Sequence, residues 1–499
     1  MGTVMRRGRK HLLHLFVILA LLLMLFIEAV AADNDWHKPR TDFHGYVESS
    51  LVLRDTNGFQ YGFMDQVEAV QQKNTLKFDI DVDPAIGMGS FAIEKFHMTF
   101  RGAYDSIFDL RKDEYKDIPE NMGLSRFDYG LKDIRFESDL REIFIDITYS
   151  GPLGQAFFRP GRQLVSWGEA SSATLLDVIC PKDNSSQMFF QNPDDLLTPV
   201  YMARLNYSLP PQPNFNLNFD LLWIPDVRPT QFGPLDHSMS APYTTFIFQG
   251  LKSFNVKQDV PTDKQEYGAK VTADLGIGLS LSAVYFRDMN NDPATVLKDF
   301  VGPAPTTAAF THPMQDVYGG YFSYHFAPLD AVIRGEFSHY TATPIAIPRP
   351  DVVMTASGME LRTFRLKPVT QWMIGFDKKY LVKWLSAKDT SSFTCQWIHK
   401  KINSWDKVME DSTLKDFDLF TFSANWYWLR GTINPILAVN YIPEGHGSFL
   451  TVPGLTWQLS ENYYFKAMGM IFWGDKKAKS QYSGMISTSE LTFKFGYEW

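Results

Sequence analysis

The stretch Leu76 to Asp83 reads LKFDIDVD and alternates without exception. Leu76, Phe78, Ile80 and Val82 fall on one side, and Lys77, Asp79, Asp81 and Asp83 on the other. The same period returns in NFNLNFDLLW, where Phe215, Leu217, Phe219, Leu221 and Trp223 oppose Asn214, Asn216, Asn218 and Asp220. It returns again in LSLSAVY at 279–285 and in LTFKFGYEW at 491–499. Successive side chains of a strand point to opposite faces, so strict alternation marks a strand with one apolar and one wet side. Weaker patterns of this kind predict strands near 44–54, 91–102, 143–149, 157–167, 201–208, 317–326, 331–340, 368–378, 391–399, 417–427, 432–442, 449–457 and 463–472. Long helical patterns are scarce.

The start of the chain differs. Arg6, Arg7, Arg9 and Lys10 precede an apolar run from Leu15 to Ile27, and Ala29-Val30-Ala31 follows as a small-x-small cleavage pattern. This predicts a cleaved signal peptide over 1–31, then a short periplasmic segment over 32–43. A spanning helix needs about 20 apolar residues, and no later run approaches that length. Yet hydrophobic residues make up 45% of the chain and aromatics 15%, so the apolar content is spread over every second position. Lipid offers no hydrogen bonds to backbone, and a sheet that spans it must close on itself, apolar outside and wet inside.

Soluble sandwiches in tandem would alternate too, but three features favour a barrel. Many predicted strands approach the ~9–11 residues that a tilted crossing takes. Short turns such as Pro328-Leu329-Asp330 and Leu275–Gly278 contrast with long connections at 168–200, 224–265, 289–316 and 341–367. Aromatics gather at strand ends, as in Trp426-Tyr427-Trp428, Tyr463-Tyr464-Phe465 and Phe472-Trp473. The expected fold is all-β: a transmembrane antiparallel β-barrel over 44–499, of about 16–18 strands because such barrels use even numbers. It would carry long external loops and lie in the bacterial outer membrane.

A net charge of −8 disfavours a nucleic-acid partner, which needs basic patches. Two cysteines far apart, Cys180 and Cys395, exclude a disulfide framework and leave either one long bridge or two free thiols. Asp79, Asp81 and Asp83 resemble part of a calcium loop, but apolar residues intervene and Pro84 stands where that loop needs glycine. No Gly-x-Ser-x-Gly or His-Glu-x-x-His occurs. Neither a catalytic residue, a metal ligand nor a cofactor is expected, and the chain reads as a non-enzyme.

The stretch GRQLVSWGE breaks the pattern. Arg162, Leu164 and Ser166 share one parity, and Gln163, Val165 and Trp167 the other, so neither face is purely apolar. Either Pro160-Gly161 introduces a bulge, or the inner face packs against something inside the barrel. Facing lipid at mid-membrane, an Arg costs about 2–4 kcal/mol, which places Arg162 in the interior. Arg162, Gln163, Trp167 and Glu169 are therefore lumen candidates, as members of a charged constriction or as holders of the loop 168–200. That loop is too long for a turn. It adds Asp183, Asp194 and Asp195 as constriction candidates, and it either folds inward or stays external. In the final strand the odd-numbered face from Leu491 would meet lipid. Phe495, Tyr497 and Trp499 there are the candidate signal for the barrel-assembly machinery.

Ser138 to Ala170, SDLREIFIDITYSGPLGQAFFRPGRQLVSWGEA, resembles the core of the domain-of-unknown-function 1302 family of proteobacterial outer-membrane proteins. Leu140-Arg141-Glu142, Gly161-Arg162-Gln163, Val165 and Trp167-Gly168-Glu169 carry the likeness, while Ile143-Phe144 replace the usual Ala-Tyr. Arg101–Asp105, Arg334-Gly335-Glu336-Phe337, Val452–Thr456 and Phe472–Asp475 add to it. The resemblance implies a large barrel in outer-membrane lipid. It would pass hydrophobic or lipid-like compounds, with an inner-membrane exporter of the resistance-nodulation-division type and a periplasmic lipid carrier as partners. A general hydrophilic porin and a membrane-embedded hydrolase are the alternatives.

Overall fold

The structure, a computed structural model, describes residues 39–55, 67–116, 131–171, 173–185, 196–225, 227–232, 255–261, 263–356, 358–384, 389–409, 414–475 and 482–499. The expected signal peptide over 1–31 lies outside them. The first half of the wall comprises β1 (Arg40–Asp55), β2 (Val67–Asp83), β3 (Phe91–Asp105), β4 (Phe136–Gly151), β5 (Gly154–Gln163), β6 (Val200–Ser208), β7 (Phe215–Ile224), β8 (Glu266–Leu275) and β9 (Leu279–Met289). The second half comprises β10 (Met314–Phe326), β11 (Ala331–Thr355), β12 (Gly358–Tyr380), β13 (Ser391–Ile402), β14 (Asp416–Asn425), β15 (Ile433–Ile442), β16 (Ser448–Gln458), β17 (Tyr463–Gly474) and β18 (Ser489–Glu498).

Each strand pairs antiparallel with the next, and β18 pairs with β1 from Tyr46↔Glu498 to Asp55↔Ser489. The result is a closed antiparallel barrel of 18 strands with no free edge. Connections after even-numbered strands are short and lie at one end with both ends of the barrel chain. Connections after odd-numbered strands, most of them long, lie at the other. No helix among the described residues is long and apolar enough to cross a membrane.

Alternation in the sequence becomes the two faces of the wall. On β18, Phe495 and Tyr497 are exposed on the outside, whereas Glu490 and Thr492 are buried within. On β1, Val47 is exposed, while Glu48, Ser50 and Arg54 point inward and are buried. The outer rings stack in rows, such as Tyr463–Phe495 at 6.0 Å and Tyr497–Trp499 at 6.1 Å.

Several elements depart from the sequence reading, each for a local reason. β8 carries no predicted strand: its outer face is Tyr267, Ala269, Val271 and Ala273, so small side chains flatten the alternation. The connections 289–316 and 341–367 are not loops. Ala294–Val301 and Ala304–Thr311 form a hairpin that adds to β12, at Val296↔Arg362. β11 and β12 continue far beyond the barrel rim despite Pro344, Pro348 and Pro350. Their register slips at Tyr340/Thr343 and Ala346/Asp351, where irregular pairing tolerates residues without an N–H. Phe472, expected among the rim aromatics, is instead buried inside while Trp473 faces out.

Candidate functional site

β5 ends at Gln163, and 164–171 leave the wall for the interior, so the predicted strand 157–167 is cut short. No bulge marks the exit, because pairing with β4 and β6 stays in register through Pro160-Gly161. Gly161 has φ +139°, and a Cβ there would overlap the Ile143 carbonyl and lie 2.7 Å from Phe144 Cα. Only glycine lets β5 run this close to β4 immediately before the chain turns inward.

Arg162 stands at the root of the segment. Its Nη1 and Nη2 donate to Asp139 at 2.7 and 3.0 Å, and Nη1 also donates to the Leu140 carbonyl. Its Nε donates to the Pro199 carbonyl at 3.1 Å. One side chain thus holds both the departing and the returning end of the excursion. Nearby, Arg141 Nη2 donates to Leu197 O at 2.6 Å, and Leu164 N donates to Glu142 at 2.8 Å. Gln163 is fully buried, with Nε2 donating to Arg159 O at 2.8 Å.

Trp167 reaches the β7–β9 wall. Its Nε1–H donates to Asp220 Oδ2 at 3.1 Å, and Asp220 also takes a two-pronged contact from Arg204 at 3.0 and 2.8 Å. Lys270 Nζ lies 3.7 Å from Asp220 and 5.3 Å from the Trp167 ring. Gly268 makes room for this cluster, since a Cβ there would come within 2.5 Å of Phe286 and 3.0 Å of the Trp167 ring.

The segment then meets β11–β13, across the ring from its root. Glu336 Oε2 accepts the backbone N–H of Glu169 at 2.5 Å and of Ala170 at 2.9 Å, and Oε1 accepts that of Leu176 at 2.8 Å. Arg334 donates to Glu169 O at 2.6 Å and lies 3.3 Å from the Glu169 carboxylate. Gln396 Oε1 accepts from Ser171 N and Oγ at 3.2 and 2.9 Å, and the Tyr340 hydroxyl donates to Leu175 O. Leu175 itself is buried against inward-facing Met373, Ile398, Leu419, Leu450 and Phe472 of β12–β17. Tyr482, Met485 and Ile486, from the connection before β18, enter the same cluster.

The segment therefore divides the lumen. On the short-turn side lies a polar cavity of 680 Å³, lined by Arg204, Asn206, Asn218, Asp220, Lys270 and Thr272 among others. On the long-connection side a smaller one of 210 Å³ lies between the segment and β9–β13. Within the segment, burial raises the pKa of Asp177, opposed by hydrogen bonds from Ser166 and the Trp167 backbone. Burial also pushes the Cys180 thiol up to about 12. Cys180 and Cys395 are both free, one buried and one exposed, so no long-range bridge forms.

Of the residues singled out from sequence, Arg162, Gln163, Trp167 and Glu169 lie along this one segment. Asp183 lies farther along the same segment, in the two-residue strand Asp183–Asn184, parallel to Gln231–Phe232, and accepts from Ser185 N and Oγ at 3.0 and 2.5 Å. Asp194 and Asp195 lie outside the described residues. The partners Asp220, Glu336 and Gln396 are not among the candidate site residues, although each occupies an inward, polar parity on its strand and Glu336 lies in the family-like stretch Arg334-Gly335-Glu336-Phe337.

Trp167→Phe should separate the two contributions of this side chain. The ring stays buried while the N–H to Asp220 is lost. A hydrogen bond to a charged group contributes ~1.5–3 kcal/mol, so the denaturant midpoint in vesicles should fall by that equivalent. Trp167→Ala should lose more, about 3–5 kcal/mol.

A family model described as "Protein of unknown function (DUF1302)" matches residues 61–498. No curated protein matches the sequence. Among solved structures, OccAB1 of Acinetobacter baumannii is 9% identical, with 92% of this chain and 96% of that chain covered and a TM-score of 0.47. OccK8 (OprE) of Pseudomonas aeruginosa is 8% identical, covering 92% and 98%, with a TM-score of 0.45. An anion-selective porin from Comamonas acidovorans is 11% identical, covering 93% and 100%, with a TM-score of 0.36.

Proposed function

The chain belongs to the DUF1302 family, and from that premise and the character of its lumen we propose that it is an outer-membrane channel for hydrophobic or lipid-like compounds. The observation that carries this reading is the inner wall of β12–β17. Met373, Ile398, Leu419, Ile442, Leu450 and Phe472 turn inward there and are buried under Leu175 and Tyr482–Ile486. A water-filled pore has a polar interior, and such a wall offers nothing to an ion or a sugar. The facing sector is charged, with Arg54, Arg101, Asp146 and Asp220 buried on β1–β7. An amphipathic solute can keep its chain on the first sector and its head on the second as the segment shifts.

A periplasmic lipid carrier, fed by an inner-membrane exporter, would deliver to or collect from the short-turn end. Leu153, Ile277 and Trp384 are 76%, 70% and 83% exposed at that rim, as a surface that receives apolar cargo requires. The polar 680 Å³ cavity on the same side favours a second reading, a general hydrophilic porin. Planar-bilayer recording combined with uptake of a fluorescent fatty acid into proteoliposomes separates the two. The lipid reading expects small or absent ionic steps together with saturable fatty-acid uptake. Large, weakly selective steps without such uptake would support the porin instead.

A further inference from the structure

The 210 Å³ cavity at the long-connection end has on its walls a buried carboxyl oxygen without a donor and a lysine without a hydrogen bond among the described residues. Asp288 on β9 is 2% exposed; its Oδ2 accepts the Gln315 amide at 2.8 Å, and its Oδ1 has no hydrogen-bond partner. One residue beyond the β8–β9 register pair Tyr267↔Arg287, Glu266 faces it, 3% exposed and accepting the Met289 N–H at 2.9 Å. Two carboxylates facing each other across a strand pair disfavour one another, and a buried acceptor without a donor is costly. Lys400 of β13 lines the same cavity, as does Asp292. Lys400 makes no hydrogen bond or ion pair among the described residues. Lys182, the other cation lining the space, is already held by Thr174 Oγ1 at 2.8 Å.

We propose that this cavity binds a small zwitterion, its ammonium on Asp288 Oδ1 and its anionic group on Lys400 Nζ. A lone cation would meet Lys400, and a lone anion would meet Asp288 together with Asp177 and Asp292, which also line the space. A metal ion is poorly served, because no three His, Cys, Asp or Glu side chains among the described residues converge as ligands. The chemistry is shared by a free amino acid and by the ethanolamine-phosphate headgroup of a phospholipid. Thr174, Asp177 and Lys182 belong to the luminal segment, whereas Asp288 and Lys400 belong to the wall. A bound zwitterion therefore ties β9 to β13 of the wall and fills the space against which the segment lies. This inference does not depend on what passes through the barrel.

The test is calorimetric titration of the whole barrel in a non-ionic detergent with L-alanine and O-phosphoethanolamine, beside ethylamine and acetate as single-charge probes. At least one zwitterion should bind saturably, about tenfold or more tighter than either single-charge probe; which one does identifies the source. Asp288→Asn and Lys400→Met should each weaken that binding about tenfold or more, with folding verified by heat-modifiable electrophoretic mobility, while Lys400→Arg should retain it. The comparison of probes on the unaltered barrel needs no variant to fold. Zwitterions binding no tighter than ethylamine and acetate, or binding unchanged in both folded variants, would overturn the proposal.

Discussion

Glu336→Ala should release the luminal segment from the far wall and raise single-channel conductance roughly tenfold or more, the scale that each ~1.4 kcal/mol sets. Three backbone N–H groups, of Glu169, Ala170 and Leu176, converge on this one carboxylate. Each hydrogen bond to a charged acceptor contributes ~1.5–3 kcal/mol, and donors left unpaired in a buried place cost a comparable amount. Losing even half of that total moves a docked-to-undocked ratio by more than one decade. The wall should survive, because the backbone of residue 336 still pairs with Met373 and Tyr321. Glu336→Gln should fall between, since its amide keeps one acceptor oxygen but turns an N–H toward the donors. Limited proteolysis supplies an independent readout: cleavage within 164–185 should accelerate in the alanine variant while the barrel core stays resistant. Unchanged conductance and cleavage in a folded variant would mean that the apolar contacts of Leu175 and Trp167 hold the segment without Glu336.

The residues on the segment were legible in the sequence and their partners were not, for a physical reason. A strand announces itself locally, because its two faces meet lipid and water at a period of two. GRQLVSWGE was conspicuous because it obeys neither requirement, and the structure shows why: beyond Gln163 it is not wall. Asp220, Glu336 and Gln396 look like any polar residue on a wet face. What distinguishes them is what crosses the lumen to meet them, at separations of 53, 167 and 225 residues. The apolar wall of β12–β17 was hidden differently. Inward Phe472 reads from sequence as a rim aromatic, because a period of two gives alternation without saying which face is outside. β8 was lost to small side chains, and the extended hairpin of β11 and β12 to its prolines.

Gly496→Val should prevent the barrel from closing. Tyr464 of β17 lies across Gly496, where any Cβ would overlap its ring. From there the hydroxyl donates to Glu48 Oε2 of β1 at 2.9 Å, while Lys494 Nζ donates to Glu48 Oε1 at 2.9 Å. A branched side chain at 496 expels the ring and takes the hydroxyl from Glu48. The same seam holds the Arg54–Glu490 ion pair, whose side chains are only 7% and 6% exposed. Every other pair of neighbouring strands is joined by a connection that keeps its ends close. β18 must find β1 across the whole barrel, so its pairing depends most on side-chain contacts. Arg54→Ala strips Glu490 of this partner and should cost about 3–5 kcal/mol, whereas replacing both with Met and Leu should recover most of it. Gly496→Val should act more severely, because it removes a ring, a hydroxyl contact and close strand packing together. Refolding into vesicles, followed by heat-modifiable mobility, would show little closed barrel for Gly496→Val and a reduced, salt-insensitive yield for Arg54→Ala. Wild-type yields for the glycine variant would mean that backbone pairing alone closes the seam.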